Sequence, residues 1–252
     1  MRWLGLTLLL GAALAQPIDP LVRPQETPGQ LRYSLGVRYA PSQAFGVGEE
    51  AERGLFAFTQ VQHGLQLSGA FELALDFDWR VFLGFAPEMR HLQTERRFDQ
   101  AVERLGGLEL SWGGVLGVEA RLGGWGELEP RLSLALAYPW ALRYSLALSL
   151  IRDPVVLALR VSLRDALEEG ATQLSFSLDT GFVASERVSL QLGSDLAFTL
   201  GDLIVPGANL RLKTIYTLEV RSEQQLAALL ALRLAGQTLR LEWGLELGGI
   251  LR

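Results

Sequence analysis

The chain of 252 residues contains no cysteine. Disulfides, thiol catalysis and thiolate metal sites are therefore excluded, and with them a small exported domain held together by disulfides. Histidine occurs twice, as His63 and His91, and Lys213 is the only lysine among 23 basic residues. No His/Asp/Glu group has transition-metal spacing. No Walker loop, nucleophile elbow or GxGxxG motif is present. The glycines between 113 and 126 read as a strand kink and a turn rather than a phosphate cradle. A formal charge of −5 supplies no basic face for nucleic acid. Past the amino terminus there is no apolar run long enough for a transmembrane helix. Yet 49% of the residues are hydrophobic and the mean hydropathy is +0.20.

What is present is alternation. From Leu65 to Phe85 every odd position is apolar or glycine, including Phe71, Leu73, Leu75, Phe77, Trp79, Val81 and Leu83. The even positions between them include Gln66, Ser68, Glu72, Asp76, Asp78 and Arg80. This is period 2, which gives a strand one greasy and one polar face. At about 3.3 Å per residue such a segment is long enough to cross a bilayer core. In lipid only helices and closed barrels satisfy their own backbone hydrogen bonds. With helices excluded by the missing runs, the pattern predicts an all-β, transmembrane, antiparallel up-and-down β-barrel.

The amino terminus reads as a secretory signal. Arg2 supplies the positive charge, Trp3 to Leu14 the apolar core, and Ala13-Leu14-Ala15 a small-x-small cleavage site, so residues 1–15 are expected to be removed. Residues 16–29 hold Pro17, Pro20, Pro24 and Pro28 and read as an irregular periplasmic lead-in, leaving 30–252 for the barrel.

Twelve strands are expected, over 31–40, 54–62, 65–85, 108–122, 127–138, 141–151, 155–164, 172–184, 187–200, 208–221, 225–235 and 238–250. Every join longer than four residues then follows an odd-numbered strand. This places short turns at one end and longer loops, chiefly 41–53 and 86–107, at the other. Membrane barrels with periplasmic termini show that asymmetry and an even strand count. His63 falls at a tight turn in this reading and His91 in the second long loop. Phe98, Ala101, Val102 and Leu105 recur at helical spacing in that loop, as one short amphipathic helix. Residues 222–236 stay open between strand and helix, because Ser222-Glu-Gln-Gln225 resembles a capping box and Gly236 a terminator.

Alternation turns one set of ionisable side chains inward: Glu72, Asp76, Asp78, Arg80, Glu109, Glu119, Arg121, Arg131, Arg143, Arg160, Asp179, Asp195, Arg211, Lys213, Glu219, Arg233, Arg240 and Glu242. Both signs occur in similar number, with small residues between them. Two interiors fit: a narrow wet pore with mixed-charge walls, or a closed ion-pair network that braces the barrel. Arginine predominates over Arg131, Arg143 and Arg160, and acids on the third strand. The lumen field is then lopsided, which favours zwitterionic or weakly charged solutes. Tyr39, Trp125, Tyr138 and Trp140 fall near strand ends and suit an interfacial girdle. Trp79, Trp112 and Trp243 read as deeper, lipid-facing bulk. Asp76 and Asp78 together have the spacing of an acid/base or cation-binding pair, and His63 or His91 the chemistry of a barrel hydrolase. The plain reading of both is a solvated wall.

The signal, the alternating strands and the loop asymmetry together resemble bacterial outer-membrane β-barrels over about residues 30–252. The resemblance is architectural. It implies an outer-membrane location, contact with the lipid bilayer and insertion by the barrel-assembly machinery. One departure is the end of the chain: Gly249-Ile250-Leu251-Arg252 stands where that family ends on an aromatic residue. The expected function is a non-enzymatic, cofactor-free narrow channel for small solutes. The alternatives are a plugged barrel whose outer loops bind a surface partner, and a soluble exported β-barrel that carries lipid.

Overall fold

The computed structural model describes residues 27–50, 54–98, 101–124, 127–152, 154–167, 170–185, 187–200, 205–219, 224–235 and 238–251. The expected signal segment, residues 1–15, and most of the expected lead-in lie outside them. Twelve strands follow in order: β1 Leu31–Glu50, β2 Gly54–Ala74, β3 Trp79–Arg97, β4 Val102–Arg121, β5 Leu128–Tyr138, β6 Ala141–Arg152, β7 Val155–Ala166, β8 Thr172–Val183, β9 Val188–Leu200, β10 Val205–Glu219, β11 Gln224–Ala235 and β12 Thr238–Leu251. Each pairs antiparallel with its sequence neighbours, and β1 pairs with β12, so the sheet closes on itself. Closure removes the free edges that lipid does not tolerate. No helix among the described residues is long and apolar enough to cross a membrane.

Side chains alternate as the pattern requires. On β5, Leu132, Leu134 and Leu136 are exposed while Ala135 and Ala137 are buried. Small residues face the narrow inside and branched bulk faces out. Residues 222, 223 and 236 of the open segment lie outside the described residues, and 224–235 form strand β11. Its leucines 226, 230, 232 and 234 point outward, Ala227 and Ala231 inward, and β10 and β12 take up its backbone groups. Partners on both sides outweigh helix propensity here.

Two boundaries differ from the sequence expectation. The 65–85 strand is cut by a turn at 75–78, and the expected turn at 63–64 lies inside β2. At the real turn, the Asp76 carboxylate accepts hydrogen bonds from the Asp78 and Trp79 amides at 2.8 and 2.6 Å. Leu75 and Asp76 in turn donate to the Trp79 carbonyl. An Asx turn needs neither glycine nor proline. Because the turn holds an even number of residues, the odd/even pattern runs through it without a break. Gly64 serves close packing instead. A Cβ there would stand 3.4 Å from the Ala40 carbonyl oxygen and 3.1 Å from Glu88 Oε1.

Segments 41–53 and 86–107 are largely strand. β1 and β2 pair out to Glu50 and Gly54, and β3 and β4 out to Arg97 and Val102. The expected helix over 98–105 is replaced by the start of β4, closed by the Phe98 amide on the Ala101 carbonyl at 2.8 Å. Pairing of β4 with β5 begins only at Gly114, and pairing of β1 with β12 ends at Ser42. Strands β1 to β4 therefore project as a four-stranded tongue from the end of the barrel opposite the two termini.

Candidate functional site

The inner wall divides into two stretches. On β2 to β5, Glu72, Arg80, Glu119 and Arg131 come together with Glu129. Arg80 meets Glu72 at 3.5 Å and also pairs with Glu119; Arg131 reaches Glu119 at 3.5 Å and Glu129 at 3.2 Å; Arg121 meets Glu129 at 3.1 Å. The Glu72, Arg80 and Glu119 side chains are 2%, 4% and 7% exposed. Next to them Phe82, Val115, Ala135, Ala137 and Ala141 form an apolar cluster. Gly117 makes room for it, since a Cβ there would strike the Phe82 ring and the Ala135 methyl. This wall is packed and internally neutralised, as buried charge must be.

On β8 to β10 the groups are wetter. Arg211 donates to Asp179 at 3.0 Å and to Asp195 at 3.1 Å, and the Asn209 amide donates to Asp195 at 2.9 Å. Gly193 is the intervening residue on β9, in register with both Asp179 and Arg211. A Cβ at Gly193 would collide with the Asp179 carboxylate, so the glycine opens the bridge across one strand. These side chains are 18–26% exposed. Lys213 meets Glu246 at 3.2 Å, and Arg233 meets Glu242 at 3.5 Å. On β6 and β7, Arg143 and Arg160 face in beside Ser145 and Ser162.

The remaining expected site residues fall elsewhere. Asp76 and Asp78 are exposed turn residues rather than a strand-borne inward pair. Their faces turn out because the chain reverses there. Glu109 is exposed on the tongue opposite Arg90, above the closed part of the barrel. Glu219 pairs with Gln224 and Arg240 with Arg233 through their backbones; their side chains, like the whole of Trp125, lie outside the description. Sequence reading left out Glu129, which opens its strand, and Arg164, which closes its own; both have the inward parity. It also left out Arg32, Gln62 and Gln191, all buried.

His63 and His91 are not in a turn and a loop but directly opposite each other on β2 and β3, on the outward face. Tyr39 hydrogen-bonds His63 Nδ1 at 2.6 Å, and Gln93 bonds His91 Nε2 at 3.0 Å. Tyr39 also packs on Trp243, with ring centroids 5.6 Å apart. Tyr138 packs between Trp112 at 5.0 Å and Trp140 at 5.8 Å. Trp112 and Trp243, expected to be lipid-facing bulk, are exposed and also join these aromatic clusters. Trp79 opens β3 at the end that carries the termini. At the tongue, Glu95 takes hydrogen bonds from Arg97 at 2.8 Å and Arg104 at 3.1 Å. Those two bonds hold its carboxyl below the usual range.

A closed twelve-strand barrel with an apolar outside and a charged inside is the architecture of outer-membrane channels. No known family model and no curated protein matches the chain by sequence. Its fold is similar to that of the COG4313 outer membrane channel from Pseudomonas putida F1. That likeness has a TM-score of 0.57 at 13% identity and covers 94% of this chain and 99% of the other. Looser likenesses are to a Pseudomonas aeruginosa FadL homologue, at 9% identity, TM-score 0.49 and 95% and 96% coverage, and to the CymD monoaromatic hydrocarbon channel, at 9% identity, TM-score 0.48 and 90% and 89% coverage. The shared feature is the barrel.

Proposed function

We propose that this chain is an outer-membrane barrel that acts as a narrow passive channel for small solutes, exported by its amino-terminal signal and inserted by the barrel-assembly machinery. The observation that carries this reading is the set of partly exposed polar side chains on β6 to β10, among them Arg143, Arg160, Asp179, Asp195 and Arg211, set against the more deeply buried Glu72, Arg80 and Glu119. A barrel built only to be closed gains nothing from wet charges, since buried pairs are no more stable than apolar packing. The solute follows these side chains, and the β2 to β5 wall narrows the bore from the other side. Selectivity then comes from the sign and spacing of the lining charges. The rival, a plugged barrel, draws on the sealed Glu72, Arg80 and Glu119 group. Current through refolded mature protein in a planar bilayer decides between them. Steady ohmic steps support a channel; a barrel that inserts and stays silent overturns it.

A further inference from the structure

The chain has two histidines, and the sheet sets them directly opposite each other. His63 on β2 and His91 on β3 are cross-strand partners, both exposed on the outward face. They sit where the tongue leaves the barrel. Their row continues to Pro41 on β1, one residue before the pairing of β1 with β12 ends at Ser42. On the other side it continues to Leu108 on β4, in the stretch before pairing with β5 begins at Gly114. The next outward-facing row toward the barrel holds Tyr39, Leu65, Met89 and Leu110. Spacing along the chain does not show this pair, because its members come from different strands.

Directly opposite residues have Cβ atoms about 4.5–5.5 Å apart. Two imidazoles on such Cβ atoms can share one ion at about 2.0–2.1 Å from each nitrogen. One nitrogen of each ring is engaged, His63 Nδ1 with the Tyr39 hydroxyl at 2.6 Å and His91 Nε2 with the Gln93 amide at 3.0 Å. The Tyr39 ring also stacks on that of His63, with centroids 6.0 Å apart. His63 Nε2 and His91 Nδ1 have no hydrogen-bond partner among the described residues. A hydroxyl accepts as well as donates, and an amide turned over offers its oxygen. With Tyr39 accepting from His63 Nδ1 and Gln93 accepting from His91 Nε2, both remaining nitrogens carry lone pairs. Outer-shell bonds of this kind orient histidine ligands and fix their tautomers. The same-face neighbours Val61, Leu65, Met89 and Leu108 carry no charge, so none repels an incoming cation.

We propose that His63 and His91 form a surface site for a divalent transition-metal ion, Cu²⁺ ahead of Ni²⁺ or Zn²⁺, with water completing the shell. Imidazole suits these ions, whereas Mg²⁺ takes oxygen ligands. Met89, the diagonal neighbour of His63, adds a soft donor on the same face. The bound ion ties β2 to β3 at the root of the tongue. The site lies outside the lumen and stands whether or not solute passes through the barrel.

Calorimetric titration of the untagged, detergent-folded barrel with CuCl₂, ZnCl₂ and MgCl₂ tests the site without any measurement of current. Wild type is expected to bind one Cu²⁺ per chain, Zn²⁺ more weakly, and Mg²⁺ not at all. His63→Gln and His91→Gln are each expected to weaken Cu²⁺ binding at least about tenfold, the loss that even outer-shell changes produce. The double variant is expected to lose it. Both histidines are exposed, and the heat-induced gel shift of the folded barrel checks that each variant is folded. A second measurement needs no variant. Bound Cu²⁺ is expected to protect both histidines of the wild-type barrel from carbethoxylation by diethylpyrocarbonate, read by mass spectrometry. No binding of Cu²⁺ or Zn²⁺, binding that the double variant retains, or protection of one histidine alone overturns the site. One ion per two chains places the ligands on different barrels and overturns it as well.

Discussion

Two ion-paired groups on the inner wall of the barrel carry the same kinds of residue at different depths. On β2 to β5 the Glu72, Arg80 and Glu119 side chains are 2–7% exposed. On β8 to β10 the Asp179, Asp195 and Arg211 side chains are 18–26% exposed. The first set forms one connected group capped by Phe82 and small alanines. The second is bridged across a glycine and left open to water. A buried pair is costly to break, and a wet pair contributes little to stability and much to the local field. On the channel function proposed above, the β2 to β5 group braces the barrel and the β6 to β10 wall sets what passes.

The widest separation of the two walls comes from removing one charge from each. Arg80→Ala leaves Glu72 and Glu119 sealed without their shared partner. The expected loss is about 3–5 kcal/mol of folded-state stability, the usual result of removing one partner from a buried ion-pair group. Urea titration of the folded fraction in detergent, read on gels, measures it. Gly193→Val comes next. Its side chain drives Asp179 from Arg211, at an expected cost of about 1–3 kcal/mol, as for other overpacking changes. The same gel assay reads it, and Gly193→Ala is expected to fall between wild type and Val. Arg211→Ala is expected to cost less than Arg80→Ala, because Asp179 and Asp195 are more exposed than Glu72 and Glu119. Its single-channel current, by contrast, is expected to change in ion selectivity. Equal destabilisation by Arg80→Ala and Arg211→Ala would break the comparison.

The smallest effect belongs to the tongue. The folded-state pKa of Glu95 is lowered first by the Arg97 hydrogen bond and then by that of Arg104. A lowered carboxyl contributes stability above its unfolded value and loses it as pH falls through the folded one. The tongue tip is thus expected to become more protease-sensitive in acid, while the barrel below stays protected. Glu95→Gln is expected to show the acid pattern already at neutral pH. Arg97 and Arg104 are mostly exposed, so the change is confined to the tip.

Much of this was legible in the residues. Twelve strands, their antiparallel order and the inward parity of most charges follow from period 2 alone. What failed did so for stated causes. The 75–78 turn is invisible because Asp76 supplies it from a side chain and its even length keeps Leu75 and Phe77 in phase with their neighbours. Gly64 looks like a turn because glycine has two uses, and only the nearness of Ala40 and Glu88 shows which one applies. The tongue was hidden because a long hairpin and a long loop differ in pairing partners, not in length. In the lumen, parity finds the wall but not who pairs with whom. Glu129 and Arg164 were lost at strand ends. The packing of Phe82 over Gly117 is a contact between residues distant in sequence.

Because the chain has no cysteine, one introduced thiol reports on one position without background. The most direct test sets Ser162→Cys, on the open wall, against Ala70→Cys, on the packed one. Each is placed in a planar bilayer and treated with a charged methanethiosulfonate reagent. The two-wall account predicts that the reagent reduces current through Ser162→Cys and leaves Ala70→Cys unchanged. Block at Ala70→Cys with none at Ser162→Cys would place the path along β2 to β5 and contradict it.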